Sequence, residues 1–161
     1  MTSDIRQVLL EVSTHVFETS AFMAVYPNDI SNLDEEFPPV VASISFKGIA
    51  DGQLILAVSN EILSPLATSM LGLDIGDEVG EIGQKDALLE VLNMMCGNVL
   101  TGIYGSEPIF DLCPPELISW EDAEDMFETI PPENHLTFIV EDTRADIILK
   151  TNVRETVEKA S

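Results

Sequence analysis

Asp86, Glu90, Asn93 and Gly97 follow one another at spacings of four, three and four residues inside the run Gln84 to Tyr104, QKDALLEVLNMMCGNVLTGIY. On a helix turning roughly 100° per residue they crowd within about 60° of one another, with Tyr104 in line and Thr101 beside them. These residue types suit the handling of a polar partner. A carboxylate accepts charge-assisted hydrogen bonds from a cation, and a carboxamide can donate to and accept from a single water without becoming charged. Gly97 costs a helix interior about 1 kcal/mol relative to alanine, and an outward glycine gains nothing unless another backbone or a bulky partner comes close. Asn93 is a poor helix former as well, because its amide competes for backbone hydrogen bonds. A helix that accepts both on its outward face serves something besides stability.

The elements that must position this ridge are legible as apolar periodicities. Opposite the ridge, Leu88, Leu89, Leu92, Met95, Cys96, Val99 and Ile103 occupy an arc of about 100 to 120°, which predicts a core-facing stripe. Ser3 to about Val25 reads as a second long helix, with Ile5, Val8, Leu9, Val12 and Val16 at helical spacing. Ser3 is the expected N-cap, and Asp4 suits the positive end of the helix dipole. A polar, proline-bearing connection follows from Tyr26 to Pro39. Val40 to Lys47 and Gln53 to Val58 read as a hairpin turning at Gly48 to Gly52. Asn60 to Leu71 reads as a short helix ended by Gly72, and Asp74 to Gly83 as the loop that delivers the chain to the central helix.

Beyond Tyr104, Pro108 to Leu112 reads as a strand before the Cys113-Pro114-Pro115 corner. Ile118 to Ile130 is open between a strand and an acidic helix. Leu136 to Glu141 and Asp146 to Lys150 form a second hairpin joined at Asp142 to Ala145, with Thr137, Ile139, Ile147 and Leu149 expected to point inward. The tail from about Thr151 is polar and reads as a fraying helix or flexible end. Two long helices and two hairpins predict one α/β (α+β) domain over residues 1–161, with a mostly antiparallel sheet covered by helices.

The ridge carries a family resemblance. Asp86, Glu90, Asn93, the following Met94-Met95-Cys96-Gly97-Asn98, and Pro114-Pro115 about twenty residues after Asn93 resemble the signature of the CheC/CheX/FliY chemotaxis phosphatases: an acidic residue or serine, then ExxN, then a proline at this distance. The resemblance is motif-specific from Asp86 to Pro115 and matches the rest of the chain in outline. It implies a CheX-like fold. It further implies a phosphatase acting on a phosphorylated, phospho-aspartyl response regulator of the CheY type, in which Glu90 and Asn93 are the catalytic pair. Such a regulator brings its own acyl phosphate, divalent ion and lysine and lacks only a water held in line behind phosphorus.

In that reading Asn93 positions the water and Glu90 anchors on the regulator's lysine. Gly97 leaves room for the partner's loop, Asp86 supports the helix start ahead of a partner contact, and Asn98 points to the flank in a structural role. No cofactor is expected on this chain, and the divalent ion (magnesium) is expected in the partner regulator. Two-site members also carry ExxN in the first long helix. Here the matching place offers Glu11 with Thr14, which lacks the amide, so one site per chain is expected, as in the CheX branch. That branch, and the exposed edges of so small a sheet, imply a homodimer.

Composition bounds the alternatives. The chain has 161 residues, 29 acidic against 7 basic, and a net charge of -22, with 45% apolar residues. That apolar content supports a packed core, while the charge argues against nucleic acid and anionic membrane surfaces as partners. The chain opens without a basic and apolar leader, and no apolar run approaches the roughly 20 residues that span a bilayer, so a cytoplasmic protein is expected. Cys96 and Cys113 read as buried reduced thiols. His15 and His135 have no second ligand at metal spacing, and the acidic run Glu121 to Glu128 lacks the glycine-centred spacing of an EF-hand, so no metal site is expected. Two other readings stand beside catalysis: a noncatalytic adaptor that docks the same regulator or a chemotaxis complex, and an unrelated acidic binding domain.

Overall fold

The computed structural model describes residues 4–27, 39–72 and 79–153. In chain order the helices are α1 (Ile5–Ala21), α2 (Leu63–Leu71), α3 (Glu81–Tyr104) and α4 (Trp120–Thr129). The strands are β1 (Val25–Tyr26), β2 (Val40–Lys47), β3 (Ala50–Val58), β4 (Asp111–Leu112), β5 (Glu116–Ile118), β6 (His135–Val140) and β7 (Thr143–Val153). Most of the 26–39 connection, residues 74–78 of the expected loop and the tail beyond 153 lie outside the described residues, as does Ser3, but the cap of the first helix is Asp4 and not the expected Ser3.

Two hairpins build the centre of the sheet. Strands β2 and β3 pair antiparallel from Val40 opposite Val58 to Phe46 opposite Gly52, and β3 continues against β7 from Ala50 opposite Val153 to Val58 opposite Ala145. Gly52 is required there, because a Cβ would lie 1.9 Å from the Lys150 carbonyl oxygen. Strands β6 and β7 reverse through Glu141 and Asp142 alone, at φ of 46° and 62°. Two consecutive positive φ angles give the turn a twist that matches the strands. The reversal is therefore tighter than the expected Asp142 to Ala145, and Thr143–Ala145 belong to the strand. Among the described residues the sheet order is β1-β6-β7-β3-β2-β4, with β5 also on β2.

Helix α1 starts at an Asp4 cap that accepts from the Gln7 amide, and it ends at Ala21, where Phe22 turns left-handed. The expected extension to Val25 fails because Val25 and Tyr26 leave to pair with Val140 and Ile139. Helix α2, preceded by one 3-10 turn, stops at the left-handed Gly72 as its sequence requires. The open segment resolves into strand β5 and helix α4, capped by Ser119. Only Asp111 and Leu112 of the expected Pro108 to Leu112 strand are paired, and Thr151–Val153 extend β7 instead of fraying.

The sheet is covered on both faces. Helices α1, α2 and α3 close the main core on one face, with Phe17, Leu54, Leu56, Leu88, Leu92 and Phe138 fully buried. On the other, Val41, Ile55, Ala57 and Ile148 meet Ala123 of α4 with Trp120 and Phe127 against them. This second layer buries both sides of the central strands. It also corrects the second hairpin. Leu136, Phe138 and Val140 face the main core, while Thr137 and Ile139 are half-buried on the α4 side. Ile147 and Leu149 point inward as expected.

Candidate functional site on the central helix

Helix α3 is held from three directions, by α1, by α2 and by the sheet. The buried arc is consequently wider than the sequence stripe. Ala87, Val91 and Leu100 are buried along with Leu88, Leu92, Met95, Cys96 and Val99, whereas Leu89 and Ile103 are only half-buried. By length and composition α3 could cross a membrane, contrary to the expectation that no apolar run came near that. Its apolar residues are instead the centre of the main core.

What α3 leaves outward is the ridge. Asp86, Glu90 and Asn98 are exposed, and Asn93 and Gly97 are half-buried. None of the side chains of Asp86, Glu90 and Asn93 has a hydrogen-bond or ion-pair partner among the described residues. A Cβ on Gly97 would meet nothing within 4 Å, so the glycine is not demanded by this chain's own packing. Asp86 lies in the second turn, while the first-turn carboxylate is Glu81, which pairs with Lys85 at 3.1 Å. The ridge thus combines a carboxylate and an amide one turn apart, both uncommitted among the described residues, beside a glycine that leaves the backbone open.

The ridge is rigidly based. Leu88, Val91, Leu92 and Met95, which bracket Glu90 and Asn93 in sequence, are 0% exposed. Beside Asn93, the Ser20 hydroxyl donates to Met94 Sδ at 3.7 Å, fastening the end of α1. At the far end Gly102 admits Val8, whose Cγ1 would lie 2.8 Å from an added Cβ; α1 and α3 therefore run antiparallel. Tyr104 departs from the expected ridge line: its hydroxyl bonds Thr151 Oγ1 at 3.0 Å and its ring packs 5.4 Å from Phe110. Pro114-Pro115 separates β4 from β5 along the edge of β2, where prolines, lacking an N–H, are tolerated.

The thiols differ from expectation in one respect. Cys96 is buried in the core, and burial pushes its thiol up to about 12, but Cys113 is exposed. A second polar constellation, not foreseen from the sequence, lies across the sheet. Asp146 accepts from Thr137 Oγ1 at 2.6 Å and Arg144 Nε at 2.9 Å, and its Oδ1 lies 2.9 Å from His135 Nε2. Burial alone would raise this carboxyl; the hydrogen bonds from His135, Arg144 and Thr137 outweigh it and hold the group below its ordinary value. The signal was the cross-strand pairing of Thr137 with Asp146, which depends on a register set by the two-residue turn.

The ridge stands on a helix-covered, mostly antiparallel α+β sheet. Residues 40–126, more than half of the chain, match the family model "Chemotaxis phosphatase CheX", and the chain belongs to the CheX family. No curated protein matches it in sequence. Among solved structures it resembles the chemotaxis protein CheX of Desulfovibrio desulfuricans, at 17% identity and TM-score 0.67 over 93% of this chain and 100% of that one. CheX of Vibrio vulnificus is similar at 19% identity and TM-score 0.65, over 93% and 100%. A CheX-CheY-BeF3-Mg complex from Borrelia burgdorferi matches at 16% identity and TM-score 0.60, over 94% and 99%. At these identities the likeness establishes the fold.

Proposed function

We propose that this protein accelerates loss of phosphate from a phospho-aspartyl response regulator of the CheY type, with Asn93 and Glu90 as the working pair. The observation that carries the proposal is the ridge itself: an uncommitted amide and carboxylate one turn apart on a helix anchored from three sides. Membership of a family named for chemotaxis phosphatases supports the activity, and a relative of the same fold captured with CheY supports the partner.

In the reaction, water attacks phosphorus, the bond from phosphorus to the aspartyl oxygen breaks, and the aspartate leaves as a carboxylate while the water's proton goes out with the phosphate. The Asn93 amide holds the water in line. Glu90 accepts a charge-assisted hydrogen bond from the regulator's lysine, which sets the register of the amide. The absence of charge on Asn93 suits a site where the phosphoryl group already carries negative charge. Magnesium belongs to the regulator as part of the substrate. Gly97 gives clearance to the partner's loop and Asn98 supports the flank of the helix, while Asp86, in the second turn rather than at the helix start, is left to contact the partner.

The protein works in the cytoplasm, where its regulator is, and as a homodimer. The dimer is supported by the outer edge of β6, where β1 covers only Val140 and Ile139 and leaves the rest of that edge without a strand among the described residues.

The test is the rate of phosphate loss from a phosphorylated CheY-type regulator, alone, with this protein, and with its Asn93→Ala variant. Acceleration by the wild type that falls by about 10²-fold or more in the variant, with binding retained, is the expected result. Binding by both without acceleration by either would make the protein an adaptor. Binding by neither would refute the assignment.

A further inference from the structure

A cavity of about 280 Å³ lies between α4 and the sheet, on the face away from the α3 ridge, and the reaction proposed above makes no use of it. Its apolar wall is Trp120, Phe127 and Ala57, with the two rings 5.6 Å apart. Asp146, Arg144 and His135 line it as well, the His135 ring standing edge-on 5.7 Å from Phe127, and the exposed Glu124 and Glu128 complete the lining. That volume sits at the lower end for small-molecule sites and suits one ring with a short polar arm.

Charge decides what fits. The Asp146 carboxylate is already matched by Arg144 and by the His135 and Thr137 hydrogen bonds, so it offers little to a ligand. Glu124 and Glu128 sit four residues apart on the same face of α4, and neither is paired with a cation among the described residues. Their two negative charges are reinforced by the field of a chain of net charge -22. The Trp120 and Phe127 faces next to them are favourable to a cation, and more so where water is partly excluded. A carboxylate or phosphate ligand would meet the same field as repulsion.

We propose that this cavity binds a small organic cation, an ammonium carried on an aromatic or compact apolar body. The body lies against Trp120 and Phe127, and the ammonium sits between Glu124 and Glu128. The site is separated from Asn93 by the whole thickness of the sheet, so its occupant is a second ligand of the protein and not the phosphoryl substrate.

Trp120 is the single tryptophan of the chain, so intrinsic fluorescence of the whole protein reports on this cavity directly. Titration would use 2-phenylethylammonium, with neutral 2-phenylethanol and anionic phenylacetate as controls of similar shape. The expected result is a saturable change with the ammonium at least about tenfold tighter than with the alcohol, weakened by added salt, and no saturable change with phenylacetate. The Glu124→Gln/Glu128→Gln double variant, checked for an unchanged melting temperature, should lose most of that preference while still accelerating regulator dephosphorylation as the wild type does. Equal binding of the alcohol, a preference that survives the double variant, or no saturable response to the ammonium by the folded wild type would each overturn the proposal.

Discussion

Gly97→Ala separates stability from function at the ridge. The added Cβ meets nothing within 4 Å, and Gly97 is not among the residues with positive φ, so the substitution introduces neither clash nor strain. What remains is the helix-propensity difference, about 0.8–1.0 kcal/mol in favour of alanine. For a domain of this size that corresponds to a rise in melting temperature of about 2–4 °C. Gly102→Ala, on the same helix, is the internal control. Its Cβ would come 2.8 Å from Val8 Cγ1, so the propensity gain is offset by displacement of α1, and the net effect is expected to be zero or destabilising by about 1 kcal/mol. Urea unfolding of the three proteins measures both shifts. A larger side chain then tests the partner's approach: Gly97→Leu should remain folded yet slow regulator dephosphorylation by tenfold or more. A lowered urea midpoint for Gly97→Ala would refute the reading of an open, unstrained position. An unchanged dephosphorylation rate for Gly97→Leu would refute close approach of the regulator there.

The remaining predictions concern the back of the sheet and the thiols. Asp146→Asn should destabilise the fold by about 2 kcal/mol, less than loss of a fully buried ion pair because Arg144 and His135 are partly exposed; thermal melts at pH 7 measure it. Because the folded state holds the Asp146 carboxyl below its ordinary value, its contribution is complete above the unfolded value of about 3.9 and is lost as pH falls through the lower folded value. Wild type and Asp146→Asn should therefore converge in stability towards strongly acidic pH; a gap that widened on acidification would contradict the network. A thiol reagent at pH 8 should modify Cys113 quickly and Cys96 only on unfolding, since burial holds the Cys96 thiol near 12. Two equally fast thiols in the native protein would contradict the packing of α3.

The parts read correctly from the sequence share a physical cause. Gly72 ends α2 and the ridge of α3 faces outward because caps and helical spacing are local properties, fixed by residues within a turn or two of one another. The β2–β3 hairpin is legible for the same reason. The misreadings involve either a distant partner or the exact residues of a turn. Val25 looked like helix until its pairing with Val140 is known. The inward face of β6 was misassigned by one residue because side chains alternate at every step, and only the tight Glu141-Asp142 reversal fixes which set faces the helices.

By itself, the sequence determined the order of the main helices and the two hairpins, the family, the charge, and a carboxylate and an amide set one turn apart on the outward side of a helix. These follow from residue type and periodicity, which act over a few residues. The tertiary structure alone decided how completely α3 is enclosed, and hence that Ala87, Val91 and Leu100 are core. It drew Tyr104 away from the ridge to Thr151. It set the β6–β7 register that assembles the Asp146 network, and it made α4 a second layer, which created the cavity beside that network. Those features join residues far apart in the chain, and their positions are set by how the layers pack, which no local pattern records.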